Sequence, residues 1–286
     1  MDLKGKLSLI TGGSSGIGLA LAKKLAAQGS HIWLFARDSN KLEAACQVIS
    51  AACLDPTQKV GASSVDVSQY DQVTAAADKL IQNAGVPDLI FNSAGFAEPG
   101  YFSEQDLAIY RQAMDINYFG TLYTTRAFLP AMIQRRSGYI VNISSIAGFM
   151  GVYGYSSYSP SKFAVRGLSD IMRYELAEHG IHVSVVFPPD TQTPQLEYEQ
   201  PFKPPVLVEI DKANKVMTAD AVADAIIKGV SHGQYIITPG FDSSLYFKLT
   251  NFFGLVYPVM DFMIAQARRS LSRGNGNGAA KNNGRH

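Results

Sequence analysis

The segment Leu7-Ser8-Leu9-Ile10-Thr11-Gly12-Gly13-Ser14-Ser15-Gly16-Ile17-Gly18-Leu19-Ala20-Leu21 decides the fold. Leu7–Thr11 is a short apolar run that reads as a buried strand, and the residues from Gly16 onward read as a helix. Between them, glycines at 12, 16 and 18 allow a tight turn, close approach of the main chain to a pyrophosphate, and close strand–helix packing. The free N–H groups where the helix starts, and its positive dipole end, complete an anion cradle. Strand, glycine turn and helix in this order predict a dinucleotide site built from Gly12, Ser14, Ser15, Gly16, Ile17 and Gly18.

Working outward, short apolar runs alternate with helical stretches. The runs 31–36, 59–65, 88–92, 139–143, 182–187 and 235–238 are separated by helical patterns at 40–53, 69–84, 103–115, 120–134, 157–178 and 219–231. Runs apolar on both faces, each followed by a helix, are parallel strands buried between two helical layers. The expected fold is therefore α/β, a doubly wound Rossmann-type parallel sheet of about seven strands. No Ser/Gly/Pro-rich linker interrupts residues 1–240, which predicts one dinucleotide-binding domain. Residues 241–270 form an apolar C-terminal extension, and the Gly/Asn-rich 271–286 is expected to be a disordered tail.

With 47% hydrophobic and 17% charged residues among 286, the chain can bury a full core, which excludes general disorder. Its formal charge of +1 lacks the basic excess of a nucleic-acid binder. Arg268, Arg269, Arg273, Lys281 and Arg285 follow the last acidic residue, Asp261; setting them apart leaves residues 1–267 at −4 and the tail at +5. Cys46 and Cys53 make neither a disulfide framework nor a metal quartet and read as small reduced residues. The N-terminal residues carry no signal-peptide pattern, so the expected location is cytoplasmic, with any membrane contact peripheral.

The second strand ends Leu34-Phe35-Ala36-Arg37, where an NAD-selective fold would carry an acidic residue for the ribose 2′-hydroxyl. Arg37, with Lys41 one turn on, can instead pair with a 2′-phosphate, so NADPH is the expected cofactor. Both could equally be solvated charges at a helix start. At Val65-Asp66-Val67, Asp66 either bonds the adenine edge beside Val67 or caps the next helix.

The glycine pattern, Asn92-Ser93-Ala94-Gly95, Asp115-Ile116-Asn117-Tyr118-Phe119-Gly120 and Tyr158-Ser159-Pro160-Ser161-Lys162 together resemble the short-chain dehydrogenase/reductase family over about residues 5–240. Reducing a ketone requires a hydride on carbon and a proton on oxygen. An ordinary phenol pKa near 10 is high for proton exchange at neutral pH. Lys162 lies four residues beyond Tyr158 on one helical face, where its ammonium would stabilise the phenolate and lower that pKa. Ser145, thirteen residues before Tyr158, would polarise the substrate oxygen, although Ser144 beside it leaves the register ambiguous. The resemblance further implies that Asn92 belongs to the cofactor site, that Lys162 bonds the nicotinamide ribose, and that Asn117 anchors a water in the proton path. It also implies that the loop to Thr193 meets the nicotinamide carboxamide.

In that loop, Phe187-Pro188-Pro189-Asp190-Thr191-Gln192-Thr193-Pro194, Pro189 replaces the family's usual glycine. This variant, with Ala164-Val165-Arg166-Gly167-Leu168, narrows the resemblance to members that reduce a long-chain 3-keto lipid with NADPH, and 3-ketodihydrosphingosine is the expected substrate. The alternatives are another hydrophobic ketone, such as a 3-ketoacyl thioester or a steroid, and a non-catalytic NADP-binding regulator. A homo-oligomer is expected. Residues 245–264 contain no 18-residue uncharged stretch, which disfavours a spanning helix. That segment, with the basic residues up to 273, either lies in a membrane interface or packs over the cleft or a sister subunit.

Overall fold

Leu7–Thr11, Leu89–Asn92 and Gly138–Ile143 are buried at every residue, which requires a sheet covered on both faces. The structure, a computed structural model, describes residues 2–212, 214–253, 262, 263, 265, 266, 269 and 270. The chain first runs β1 (Leu7–Thr11), α1 (Gly16–Ala27), β2 (His31–Ala36), α2 (Ser39–Ala51), β3 (Val60–Ser64), α3 (Tyr70–Ala84) and β4 (Leu89–Asn92). It continues through α4 (Leu107–Ala113), α5 (Gly120–Arg135), β5 (Gly138–Ile143), α6 (Tyr158–Ala177) and β6 (Ile181–Val186). The remainder is β7 (Thr191–Gln192), α7 (Pro194–Glu199), α8 (Pro205–Asp211), β8 (Met217–Thr218), α9 (Ala219–Ser231), β9 (Ile236–Ile237) and α10 (Phe241–Lys248).

Seven strands form one parallel sheet in the order β3-β2-β1-β4-β5-β6-β9, as expected; β7 and β8 make a separate two-stranded pair. The strand order reverses between β1 and β4, which opens a crevice at their carboxyl ends. One face is covered by α1, α2 and α9, through Leu21, Leu25, Ile49, Val222 and Ile226. The other is covered by α3, α5 and α6, through Val73, Leu80, Phe128, Met132 and Met172. Each such side chain contributes roughly 1.5–3 kcal/mol by leaving water.

Three details of the local structure bear on the site. The helix expected over 103–115 begins only at Leu107, because Asp106 caps it by accepting from the Ala108 N–H at 2.8 Å. It then joins α5 through a π-helical segment, Met114–Phe119, which carries Asn117. Beyond the sheet, α10 packs back on the fold: Phe247 stacks edge-on to Phe149 at 5.2 Å and beside Phe187 at 5.5 Å, with Arg166 over both Phe187 and Phe247. Tyr246 and Met263 line the cleft. The start of the C-terminal extension thus packs on the fold beside the cleft. Residues 254–261, Arg268, Arg273 and the tail 271–286 lie outside the described residues. No helix among the described residues is long and apolar enough to cross a membrane.

Candidate active site

A single cavity of about 900 Å³ runs from the glycine turn after β1 to the loops around α7 and α8. At its first end, Thr11 Oγ1 accepts from the Ser93 and Ala94 N–H groups, each at 3.0 Å, clasping the ends of β1 and β4 together. Gly12 has φ +66°, and a Cβ there would sit 2.8 Å from the Ala94 Cα; a Cβ on Gly18 would sit 2.5 Å from the Gly12 carbonyl. Only glycine fits at either position. Ser15 precedes α1 without a side-chain cap, leaving the first-turn N–H groups to face the cavity along with Ser14, Ser15, Gly16 and Ile17. This is the donor set a pyrophosphate needs, and the residues present fit a dinucleotide.

Arg37 and Lys41 are exposed on the cavity wall, and among the described residues neither forms an ion pair. Asp38 beside them also lines the cavity and caps α2, its Oδ1 accepting from the Asn40 and Lys41 N–H groups at 3.0 and 3.1 Å. Asp66 and Val67 also line the cavity. Asp66 does not cap α3, which is preceded by Gln69; its carboxylate accepts from Ser68 instead. Thr193 lines the cavity and caps α7, and a Cβ on Gly16 would lie 3.1 Å from its methyl.

At the middle of the cavity stand Ser145, Tyr158 and Lys162, brought together by the end of β5 and the first turn of α6. Both serines line the cavity, but Ser144 is buried and donates to the Lys162 carbonyl at 3.0 Å, whereas Ser145 hydrogen-bonds Tyr158. One expectation fails: the Tyr158 pKa is raised rather than lowered. Burial pushes it up, the charges of Glu199 and Asp190 add to this, and the Ser145 bond offsets only part. Lys162 is captured elsewhere: its ammonium donates to the Ile143 carbonyl at 2.9 Å and lies 5.6 Å from the Tyr158 ring centre. Burial lowers its own pKa to about 8.

Two expected site residues do not line the cavity. Asn92 is 2% exposed, and its amide nitrogen donates to Thr125 Oγ1 at 3.1 Å and to Asn142 Oδ1 at 2.9 Å. Asn142 in turn donates to Ser169 on α6 at 2.9 Å. The Asn92 side chain thus ties β4 to β5, α5 and α6 instead of facing a cofactor. Asn117 is fully buried: Oδ1 accepts from the Phe96 N–H at 2.8 Å, and Nδ2 donates to the Phe96 carbonyl at 2.9 Å and to Ser161 Oγ at 2.8 Å. Its backbone carbonyl accepts from Thr121. With its side chain committed, Asn117 fixes the loop after β4 and the first turn of α6.

Three cavity residues had no signal in the sequence: Tyr155, Asp190 and Glu199. The Tyr155 hydroxyl donates to Glu199 Oε2 at 2.6 Å, and its ring lies 5.7 Å from that of Tyr158. Glu199 Oε1 accepts from Gln195 at 3.1 Å. Burial raises the pKa of both carboxyls, Glu199 and Asp190.

A glycine-lined dinucleotide cradle running into a Ser, Tyr and Lys cluster defines a nicotinamide-dependent oxidoreductase. The family profile for short chain dehydrogenase matches residues 6–203, and the chain belongs to the short-chain dehydrogenase/reductase family. Among curated relatives, it is 36% identical to 3-dehydrosphinganine reductase of Danio rerio over 251 residues, covering 87% of this chain and 76% of the relative. It is 38% identical to 3-ketodihydrosphingosine reductase of Dictyostelium discoideum over 249 residues, covering 82% and 75%. Among solved structures, a short-chain dehydrogenase from Sphingobium yanoikuyae in complex with NADPH superposes with TM-score 0.73 at 26% identity, covering 94% of this chain and 95% of that one.

Proposed function

We propose that this chain reduces the ketone of 3-ketodihydrosphingosine with NADPH, producing the 3-hydroxy sphingoid base. The names of its curated relatives support the substrate. The observation that carries the reading is the one continuous cavity joining the glycine cradle, Arg37 and Lys41 to Ser145, Tyr158 and Lys162. NADPH, when bound, supplies the hydride. Arg37 and Lys41 pair with its 2′-phosphate, and the first turn of α1 faces its pyrophosphate. Lys162 serves the ribose side. Ser145 donates to the substrate oxygen and strengthens that bond as negative charge develops. Tyr158 delivers the proton to the same oxygen; its raised pKa keeps the phenol protonated, which suits donation in the reductive direction.

On the surface, α6 exposes Phe163, Ile171 and Tyr174 along one face, a stripe for a second copy of the chain to cover. Exposed Phe241, Leu245 and Phe262 offer a lipid interface a small apolar contact beside the cleft. Co-sedimentation with anionic vesicles at low and high salt tests that contact, and a chain that stays in the supernatant at low salt rejects it.

The function itself is tested by incubating the purified chain with NADPH and 3-ketodihydrosphingosine, following absorbance loss at the nicotinamide band and the product by mass spectrometry. Tyr158→Phe should lose at least about 100-fold in turnover with NADPH affinity retained, the usual scale for removing a general acid. No product from the parent chain would reject the substrate assignment.

A further inference from the structure

The cavity is polarised along its length. Arg37 and Lys41 stand at the nucleotide end with Asp38 and Asp66 beside them, whereas Asp190, Glu199 and Asp211 line the end beyond Tyr158 against a single lining lysine, Lys215. The three carboxylates are not alike. Asp211 is paired with the Lys203 ammonium at 2.7 Å, and Asp190 faces Asn214. Glu199 is 6% exposed, and no lysine or arginine among the described residues lies within ion-pair distance of it. Its two oxygens are fixed instead by neutral donors, Tyr155 on one and Gln195 on the other.

Lys203, in contact with Asp211, offsets part of the cost of burying the Glu199 carboxylate from a distance, and a ligand cation in direct contact relieves the remainder. Two hydrogen bonds already hold the carboxylate in place, so little further ordering is needed when that cation arrives. Tyr155, which donates to Glu199 at 2.6 Å, has its ring 5.7 Å from that of Tyr158, so Glu199 stands one side chain away from the proton donor. A 3-keto sphingoid base carries a primary ammonium on the carbon next to its ketone. A steroid or a 3-ketoacyl thioester carries no cation there.

We propose that Glu199 is the specificity-determining residue that receives the ammonium of a 2-amino-3-ketone, positioned by Tyr155 and Gln195, while the ketone oxygen meets Ser145 and Tyr158. This inference rests on the proposed reductase reading and assigns its substrate selectivity to one carboxylate. Asp190, which lines the same end of the cavity, is a secondary contributor. The hydrocarbon chain then leaves past the apolar wall of Met150, Val152, Leu207 and Ile210.

The test compares 3-ketodihydrosphingosine with 1-hydroxyoctadecan-3-one, which keeps the ketone, the hydroxyl and the chain but lacks the amine. Replacing Glu199 by Gln preserves size and an acceptor for Tyr155. In Glu199→Gln the ratio of kcat/KM for the amino ketone over the neutral ketone should fall at least about tenfold, mostly through KM, as expected for losing one charge-assisted contact. Any effect of the lost charge on the Tyr158 proton acts on both ketones and cancels in the ratio. An unchanged ratio overturns the proposal, because a purely structural role would weaken both substrates alike.

A second measurement needs no turnover and no variant. With NADPH bound, dodecylamine should raise the melting temperature of the parent chain more than dodecanol does, both below their micelle concentrations. Equal shifts overturn the proposal. If the parent reduces neither ketone, the reductase substrate reading fails, and the amine arm still decides the role of Glu199.

Discussion

Arg37→Ala should weaken NADPH by about 10- to 30-fold while leaving NADH within about twofold. The guanidinium lies exposed on the cavity wall with no ion pair to any described residue, so it is free to meet a phosphate and its removal orphans no partner. A charge-assisted contact is worth about 1.5–3 kcal/mol, and solvent exposure places this one at the lower end, about 1.5–2 kcal/mol. At 1.4 kcal/mol per decade, that is the stated factor. Lys41 remains on the same wall, so binding is weakened rather than abolished. The neighbouring Asp38 is held by its Oδ1 in capping α2. Fluorescence titration of both cofactors, at low salt and at about 0.5 M, supplies the assay. The NADPH difference should shrink as salt screens the exposed pair. Equal losses for NADPH and NADH, or a difference insensitive to salt, would refute the idea that Arg37 reads the 2′-phosphate.

Other expectations concern the middle of the cavity and the surface. Ser145→Ala should reduce turnover about 10²- to 10³-fold with folding intact, the scale for one lost oxyanion donor, whereas Ser144→Ala should act on melting temperature, since Ser144 supports the Lys162 carbonyl. Lys162→Met should inactivate the enzyme yet stabilise it at pH 7 by about 1–3 kcal/mol. The sign follows from burial: folding lowers the Lys162 pKa from 10.5 to about 8, so the unfolded chain holds that proton more tightly. The penalty is complete below about pH 8 and fades as pH rises toward 10.5, so melting curves of the two proteins should converge there; a constant offset would contradict this account. Ile171→Asp should shift a size-exclusion profile to a smaller species if a second copy covers the α6 stripe, and an unchanged profile would place the interface elsewhere.

Local patterns carried much of the fold. Alternation with helices placed all seven parallel strands. Strands β1, β4 and β5 are buried at every residue because they are covered on both faces, while the edge strand β3, Val60-Gly61-Ala62-Ser63-Ser64, was legible mainly from its position between two helices. Spacing likewise united Ser145, Tyr158 and Lys162, since all three sit at the junction of β5 and α6, where register follows from the chain itself. What spacing could not reveal was where each polar tip points. The Lys162 ammonium lies on the expected helical face but is taken by the Ile143 carbonyl, and the phenol it was to assist is instead held protonated by burial first and then by Glu199, forty-one residues further on. Glu199 closes a short proline-started helix with no periodic signal, and only the folding of α7 over the cavity gives it meaning. Asn92 misled for the converse reason: it stands at a strand end facing the crevice, yet its side chain finds partners on α5 and β5.

The chain of bonds from Asn92 through Asn142 to Ser169 runs through an otherwise apolar layer between the sheet and α6. Oily surfaces alone tolerate sliding, since leucine against leucine has nearly the same energy one helical turn, about 5.4 Å, away. A hydrogen-bonded pair does not, because a slip would leave the Asn142 amide buried and unsatisfied. This seam therefore works as a key in a keyway. It sets the axial position of α6 about three turns beyond Tyr158, so the apolar neighbours Met172 and Leu176 can drift in evolution while the proton donor keeps its height above the sheet.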